Sequence, residues 1–361
     1  MEEKKMNLEE KIENFSDKVE VAYEQIEDKV QATYYKVEGA VVDAYQKVED
    51  SVVGAYKKVE TNVVEAYEKI EDKAVDELVA VYFNEYDHAP ELEDKTTEAY
   101  RKVWNSAKAE LTLRAVLEAY GAKAFTSNFD DLGDVNVAET GKGFDQIPGL
   151  ASQRLMADGY GFGGEGDWKT AALVRTAWYM GQGLPKGSSF LEDYTIHFNG
   201  ANSALLQAHM LEISPAIAAE RPKLEVHHLG IGVRKTQTAR LVFTSKTSDG
   251  VAATVVDMGN RFRLIVNEVR CIESKPLPKL PVASALWIPK PSFEVGAAAW
   301  MLAGGTHHTS FSYDLTTEYW EDYAEIADVE LLVIDDNTTI SNFKRDMRIN
   351  EVYYMLNKAL K

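Results

Sequence analysis

Four side chains that commonly bind divalent metal ions are the main candidates for chemistry in this sequence. They are Glu165, Glu192, His209 and His308. Mn²⁺ and related ions favour carboxylate and imidazole ligands, whereas softer ions favour thiolates. The chain has a single cysteine, so no second thiol competes for the metal. The set predicts a divalent-metal site with oxygen and nitrogen ligands, provided that folding brings the four residues together.

Each candidate also has a purely structural interpretation. Glu192 lies in a run typical of a strand, where Glu usually faces solvent, and His209 would suit a hydrogen-bonded core position. His308 lies among small residues that predict a loop, so its ligand and structural roles are equally open. Glu165 stands among four glycines before a predicted helix, and the sequence shows no structural role for it.

The glycine-rich segment 159–167 matches the sequence pattern of a nucleotide-binding loop but lacks the expected neighbouring elements. Its glycines satisfy Gly-x-Gly-x-x-Gly, but no strand is predicted before them and no acidic residue follows at the distance of a ribose contact. Glu165 would also repel phosphate. We therefore exclude nucleotide binding, and we predict that Asp167 is the N-cap of the helix that follows.

The candidates lie in a series of motifs that occur in a fixed order along the chain. Those that carry the candidates are Gly163-Gly-Glu165-Gly-Asp-Trp-Lys-Thr-Ala-Ala172, Ser189-Phe-Leu-Glu192-Asp-Tyr-Thr-Ile-His197, His209-Met-Leu-Glu-Ile213 and Gly304-Gly-Thr-His-His308-Thr309. Other such segments are Phe125-Thr-Ser-Asn-Phe129-Asp-Asp-Leu, Pro148-Gly-Leu-Ala-Ser-Gln-Arg-Leu-Met156 and Asn350-Glu-Val-Tyr-Tyr354. From about residue 77 to the end, this order resembles that of the L-arabinose isomerases.

The resemblance implies a cytoplasmic aldose–ketose isomerase that interconverts L-arabinose and L-ribulose through an ene-diol, with D-galactose as a further candidate aldose. In the family, the residues matching Glu165, Glu192, His209 and His308 bind Mn²⁺, and the two Glu also serve as the acid and base. Phe129 matches a residue near the sugar. The family's active sites form at subunit boundaries, which implies a homo-oligomer.

Part of the family's pattern has no counterpart in this chain. The family begins with an N-terminal α/β domain and the front of a central α/β domain, and a repeat segment stands in that place here. We therefore expect the chain to retain the metal half of the site and to bind sugar weakly or fail to turn over. A second hypothesis is a non-catalytic scaffold, in which a remnant isomerase fold pairs with other subunits and the repeat binds an unidentified partner.

The composition excludes several other classes of protein. Asp and Glu number 58 against 39 Lys and Arg, a net charge of −19, which disfavours binding to nucleic acid or to anionic membranes. The longest apolar run, Val295 to Gly305, is well short of the ~20 residues of a membrane helix. The charged N-terminus does not resemble a secretory signal. One cysteine precludes an internal disulfide and is compatible with a reducing compartment.

An 11-residue repeat occupies residues 19–73. Its apolar stripe, from Leu8 to Ile70, advances by four, three and four residues, close to the helical period of about 3.6. This period predicts a long helix that cannot bury its stripe as a straight rod, so it must fold back at Gly39 or Gly54, pair with another copy or lie on a partner surface. Self-association, a docking role and a lipid-surface role remain open, although the acidic excess on the opposite face argues against anionic lipid.

The fold class predicted for the remainder is α/β followed by mainly antiparallel β. Residues 77–187 alternate helices with short strands, as in a partial doubly wound domain. Residues 188–361 contain about seven β-branched or aromatic runs separated by turn residues, which predict an antiparallel sheet or barrel. We therefore predict three parts: the repeat helix at 1–76, a partial central α/β isomerase domain at 77–187, and a C-terminal β-barrel-like domain at 188–361.

Overall fold

The structure is a computed structural model that describes residues 36, 42–44, 46–55, 57–128, 143–198, 203–230, 236–275 and 277–360, without the side chains of 357–360. The chain divides into two compact units, Met1–Thr61 and Asn62–Lys361. In the first unit every described residue is helical, which agrees with the predicted conformation over that part of the repeat. Most of the repeat before residue 42 lies outside the described residues. The prediction of one helix through residue 76 is wrong at Ile70 and Glu71, where the helix is interrupted because the Glu71 backbone is extended, with ψ of 134°.

The second unit contains the α/β and barrel elements. Its helices are α1 Asp72–Glu85, α2 Glu98–Ala119, α3 Gly149–Ala157, α4 Trp168–Met180, α5 Phe293–Ala303, α6 Thr317–Ala327 and α7 Ile340–Leu360. Its strands are β1 Asp87–His88, β2 Ala124–Ser127, β3 Gly161–Gly164, β4 Ser188–His197, β5 Ala204–Ala208, β6 Lys223–His228, β7 Gln237–Val242, β8 Asp249–Asp257, β9 Phe262–Ile272, β10 Ser284–Pro289, β11 His308–Ser312 and β12 Glu330–Ile334. Among the described residues, no helix is sufficiently long and apolar to span a membrane.

Helices α1, α2 and α3 lie in the part of the chain before the barrel, within the region where helices were predicted. Helix α2 begins where the Thr97 side chain accepts a hydrogen bond from the Tyr100 backbone N–H, and the chain turns away at Gly121 with φ of 63°. A buried carboxylate, Glu110, joins α2 to α3 by accepting from Arg154 Nε at 2.9 Å. The helices pack on the three-stranded sheet β1–β6–β7.

Strands β2 and β3 pair in parallel, so part of the glycine-rich segment 159–167 is a strand, which was not predicted. Residues Gly161–Gly164 form a buried strand because α4 packs directly on it. A Cβ on Gly161 would lie 2.1 Å from the Ala171 carbonyl oxygen, and one on Gly163 would lie 2.1 Å from that of Asp167. The glycines therefore permit close helix–strand packing. The doubly wound arrangement remains a prediction, since the described parallel sheet here has two strands.

The C-terminal part is a six-stranded antiparallel barrel, as predicted. Its strands follow the closed order β10–β5–β4–β11–β8–β9, with β9 returning to β10, and β12 pairs in parallel on the outside of β9. Strands β5 and β11, which are five residues each, were not predicted from the sequence, and neither was α5. Helix α5 is the apolar run noted above, capped by Ser292 and ended by Gly304 in the left-handed conformation.

Candidate active site

Glu192 and His308 lie directly opposite one another on β4 and β11. Directly opposed residues of an antiparallel pair have neighbouring side chains. His308 was expected in a loop, and that expectation was wrong because the strand begins at this residue and continues through Ser312. Glu192 is half-buried and His308 is buried, so the pair sits at the edge of the protein interior.

His209 follows β5 and approaches the same region across an aromatic ring. The Phe190 ring centroid lies 5.1 Å from that of His209 and 5.0 Å from that of His308, and the two imidazole centroids are 5.9 Å apart. Phe190 thus packs against both histidines, whose rings also meet each other edge to face. Phe190 was not among the predicted site residues, although it precedes Glu192 by two residues and must lie on the same face of β4.

Glu165 leaves the end of β3 with φ of 58°, a conformation that residues other than glycine rarely adopt. Hydrogen bonds on each side hold it: Glu165 N–H donates to the Ser127 carbonyl at 2.7 Å, and Gly166 N–H donates to Thr126 Oγ1 at 2.7 Å. Such backbone strain costs on the order of 1 kcal/mol and occurs often at functional sites. The exposed carboxylate is therefore presented by a rigid turn.

A group of ligand atoms with metal-site spacing includes a residue that sequence reasoning left out. One ligand atom each from Glu165, His307 and His308 lies within 4.8 Å of the other two. His307 is exposed, and its signal in the sequence was simply its place beside His308. Glu192 and His209 do not belong to this tight group, but both carboxylates, Glu165 and Glu192, act electrostatically on His209.

Carboxylates fix the Nδ1 atoms of both histidines, one of them buried and the other partly exposed. Glu212 Oε2 lies 2.6 Å from His209 Nδ1, and Asp167 Oδ2 lies 3.2 Å from His308 Nδ1. Asp167 also accepts from Thr170 N–H at 3.0 Å, which confirms its predicted role as the N-cap of α4. Carboxylate partners of this kind orient histidine ligands and fix their tautomer.

The electrostatics of the site follow from these contacts. Burial alone would lower the pKa of His209, but the carboxylate of Glu212, with smaller effects from Glu192 and Glu165, raises it above the ordinary value. Burial alone would raise the pKa of Asp167, but hydrogen bonds from His308 and Thr170 lower it to about 2. The region therefore attracts positive charge.

Two observations test whether these residues suit a divalent ion, and both favour it. The buried Nε2 atom of His308 has no hydrogen-bond partner among the described residues. Buried polar atoms normally have a partner, so this nitrogen is suited to bind a metal ion. A Cβ on Gly164 would lie 2.9 Å from His209 Nε2, so glycine keeps the space beside that atom clear. Phe129, the predicted sugar contact, lies outside the described residues.

Asp193, next to Glu192 on β4, lines the interior of the barrel. Burial raises its pKa to about 6, with a lowering contribution from Gln207 and a raising one from Glu192. Between pH about 4 and 6 the native state thus binds more protons than the unfolded state, so this group makes stability fall as pH rises through that window. We expect Asp193→Asn to gain stability relative to the parent chain between pH 4 and pH 8, by about 1–2 kcal/mol.

Urea unfolding at several pH values measures this difference. Asp322→Asn removes an exposed carboxyl of α6 and is the matched control for the loss of one negative charge. A constant stability difference between Asp193→Asn and the parent chain across this pH range would contradict the prediction.

The fold and the site together define a mixed α/β protein in which a parallel strand pair and an antiparallel barrel present Glu and His side chains to one candidate metal site. The family models for the L-arabinose isomerase central domain and C-terminal domain match residues 16–183 and 187–330. The chain therefore carries the central and C-terminal domains of the L-arabinose isomerase family.

Individual relatives agree with this assignment. The L-arabinose isomerases of Phocaeicola vulgatus and Bacteroides thetaiotaomicron are each 74% identical over 286 residues, which is 79% of this chain and 55% of the relative. That of Flavobacterium johnsoniae is 52% identical over 281 residues, 78% of this chain and 54% of the relative. The chain thus spans about half the length of the curated relatives that it matches.

Proposed function

We propose that this protein is an L-arabinose isomerase that interconverts L-arabinose and L-ribulose with Mn²⁺. The observation that carries the proposal is the cross-strand pair Glu192–His308, in which the buried His308 Nε2 lacks a partner among the described residues. Relatives named L-arabinose isomerase, 74% identical over 286 residues, support the choice of substrate. D-Galactose is the alternative aldose in the same assay.

In the proposed mechanism, Glu165, Glu192, His209 and His308 hold Mn²⁺. The ion, when bound, would polarise neighbouring oxygens of the sugar. One of Glu165 and Glu192 would remove the proton from C2 of the open-chain sugar and return it to C1. The other would transfer the proton of the C2 hydroxyl to the C1 oxygen, so that the aldose becomes the ketose through an ene-diol. Asp167 and Glu212 keep the two imidazoles oriented through Nδ1, so that Nε2 is the ligand atom.

The deciding experiment measures thermal stability and L-ribulose formation from L-arabinose, each with and without Mn²⁺. A ligand that binds only the native state stabilises it by about 2.7 kcal/mol at 100 times its Kd. We expect both an upward shift of Tm and Mn²⁺-dependent turnover. An upward shift of Tm without ketose formation would contradict the proposed activity but would still support the proposed metal site. Without a shift, the proposed metal site would also fail.

Gly164→Ala tests the space that the site requires. We expect the variant to weaken Mn²⁺ binding about tenfold or more, because the added Cβ would lie 2.9 Å from His209 Nε2 while Glu212 holds the ring from the other side. Isothermal titration with Mn²⁺ measures the effect. Gly230→Ala is the matched control, since a Cβ there meets nothing within 4 Å. Equal Mn²⁺ affinity in both variants would contradict the predicted ligand role of His209.

We further propose that the repeat is helical before Ile70 and that copies of this cytoplasmic chain associate through this helix. The described part of the first unit supports this, since Val48 and Val52 of the apolar stripe are 63% and 62% exposed. A stripe left open to water favours association. Light scattering of the full chain and of a Val48→Glu, Val52→Glu variant tests it, and an unchanged mass would contradict it.

A further inference from the structure

The closed barrel encloses a cavity that the proposed reaction does not use. Its volume is about 300 Å³. Every strand of the barrel contributes a lining residue: Asp193 from β4, Leu205 from β5, Ala252 from β8, Asn267 from β9, Trp287 from β10 and Thr309 from β11. Helix α5 covers one end. We call this space the barrel lumen.

The lumen exists because small side chains occupy positions where a closed barrel usually carries large ones. Ala252 and Thr309 line its wall, and Ala297 and Ala298 face it from α5. Narrow barrels are normally filled by their own side chains, and protein interiors contain few voids larger than a water molecule. A cavity of this size is large enough for a small ligand.

The lumen lies on the opposite face of the barrel wall from the candidate metal site. Glu192 and Asp193 are consecutive on β4, and His308 and Thr309 are consecutive on β11. The two side chains of each pair therefore point to opposite faces of the barrel wall. Asp193 and Thr309 line the lumen, whereas Glu192 and His308 face the metal site. The two spaces share a wall but no side chains.

The charged side chains that line the lumen are all acidic among the described residues. Asp193 lies in the wall, Glu294 lies at the α5 end, and neither Lys nor Arg lines the space. The remaining surface is largely apolar and includes the aromatic rings of Trp287, Trp300 and Phe293. The Trp300 indole N–H already donates to the Thr306 carbonyl at 3.0 Å, so it does not serve a ligand. A carboxylate beside aromatic rings is a setting that attracts organic cations.

The polar end of the lumen is incompletely satisfied by the protein. Gln207 Nε2 donates to Asp193 Oδ1, and Gln207 shares a face of β5 with the lining residue Leu205. Gln207 is fully buried, and its Oε1 atom has no hydrogen-bond partner among the described residues. A buried acceptor without a donor is costly. Gln207 does not itself line the lumen, so an ammonium group there donates to the Asp193 carboxylate that Gln207 orients.

We propose that the barrel lumen binds a small organic cation, a primary ammonium group carried on an aromatic or branched apolar body. The ammonium lies against Asp193, and the apolar body lies among Trp287, Trp300 and Phe293. Ligand enters beside Met301 and Ile196, whose side chains are 71% and 42% exposed. Anions are excluded by the two carboxylates, and free sugars find too few polar partners. The inference is independent of the proposed isomerase activity.

Isothermal titration of the full chain with benzylammonium chloride tests this site, with benzyl alcohol as the neutral probe of nearly the same shape. We expect saturable binding of benzylammonium about tenfold tighter than that of benzyl alcohol. Equal affinities would overturn the proposal, because the lumen would then select only for apolar volume. The absence of saturable binding up to about 10 mM would also overturn it.

Three variants locate the binding. Asp193→Asn should weaken benzylammonium binding about tenfold while leaving benzyl alcohol unchanged, and Ala298→Phe, which fills the lumen from α5, should abolish binding of both probes. His308→Ala should leave benzylammonium binding unchanged, which separates the lumen from the candidate metal site. Loss of binding in His308→Ala, or undiminished binding in a folded Asp193→Asn or Ala298→Phe variant, would overturn the proposal.

Discussion

Glu165→Gln is expected to lower the Mn²⁺-dependent turnover of L-arabinose by about 10²–10⁴-fold, the usual contribution of a positioned acid or base. The amide keeps the size of the side chain but can neither accept nor return a proton. Two backbone hydrogen bonds hold residue 165 in its turn, so we expect the amide to keep the position of the carboxylate. Initial rates of ketose formation at saturating Mn²⁺ measure the effect.

Two further variants make this result interpretable. Glu192→Gln should cause a loss of the same order, since the proposed reaction needs both an acid and a base. Glu118→Gln removes an exposed carboxylate of α2 and should leave turnover unchanged. Full activity in Glu165→Gln would show that its assigned role is wrong, even if Mn²⁺ still raised Tm.

Glu330→Gln is expected to lower the free energy of unfolding by about 3–5 kcal/mol, the cost of removing one partner of a buried ion pair. Glu330 accepts from Arg261 Nε at 2.6 Å, and Arg263 Nε lies 3.0 Å from the same carboxylate oxygen. All three side chains are buried, so the variant would leave two guanidinium groups in the interior without their shared carboxylate. The urea midpoint and the apparent free energy of unfolding measure the loss.

Glu351 provides the matched control for this network. It bonds Arg261 Nη2 at 2.6 Å, but its side chain is 51% exposed, so water replaces it readily. We expect Glu351→Gln to change stability far less than Glu330→Gln. Similar losses in the two variants would show that burial does not set the strength of this network.

Local patterns in the sequence were sufficient to predict the helices and strands whose residue pattern lies within one continuous segment. Helix α2 has its N-cap at Thr97 and turns away at Gly121, and both signals are local. Most strands of the barrel were predicted in the same way from their β-branched and aromatic runs. Strands β5 and β11 were missed because each is short, and β11 begins within a run of small polar residues that is typical of a loop.

The sequence by itself determined the family, the candidate ligands and the conformation predicted for most local segments. Each of these depends on residue types and on their spacing within a short stretch of the chain. Only the tertiary structure decided the opposition of Glu192 to His308, the contact of Asp167 with His308 and the empty space inside the barrel. These features depend on strand register and barrel closure. Pairings between distant segments fix both, and no single segment encodes them.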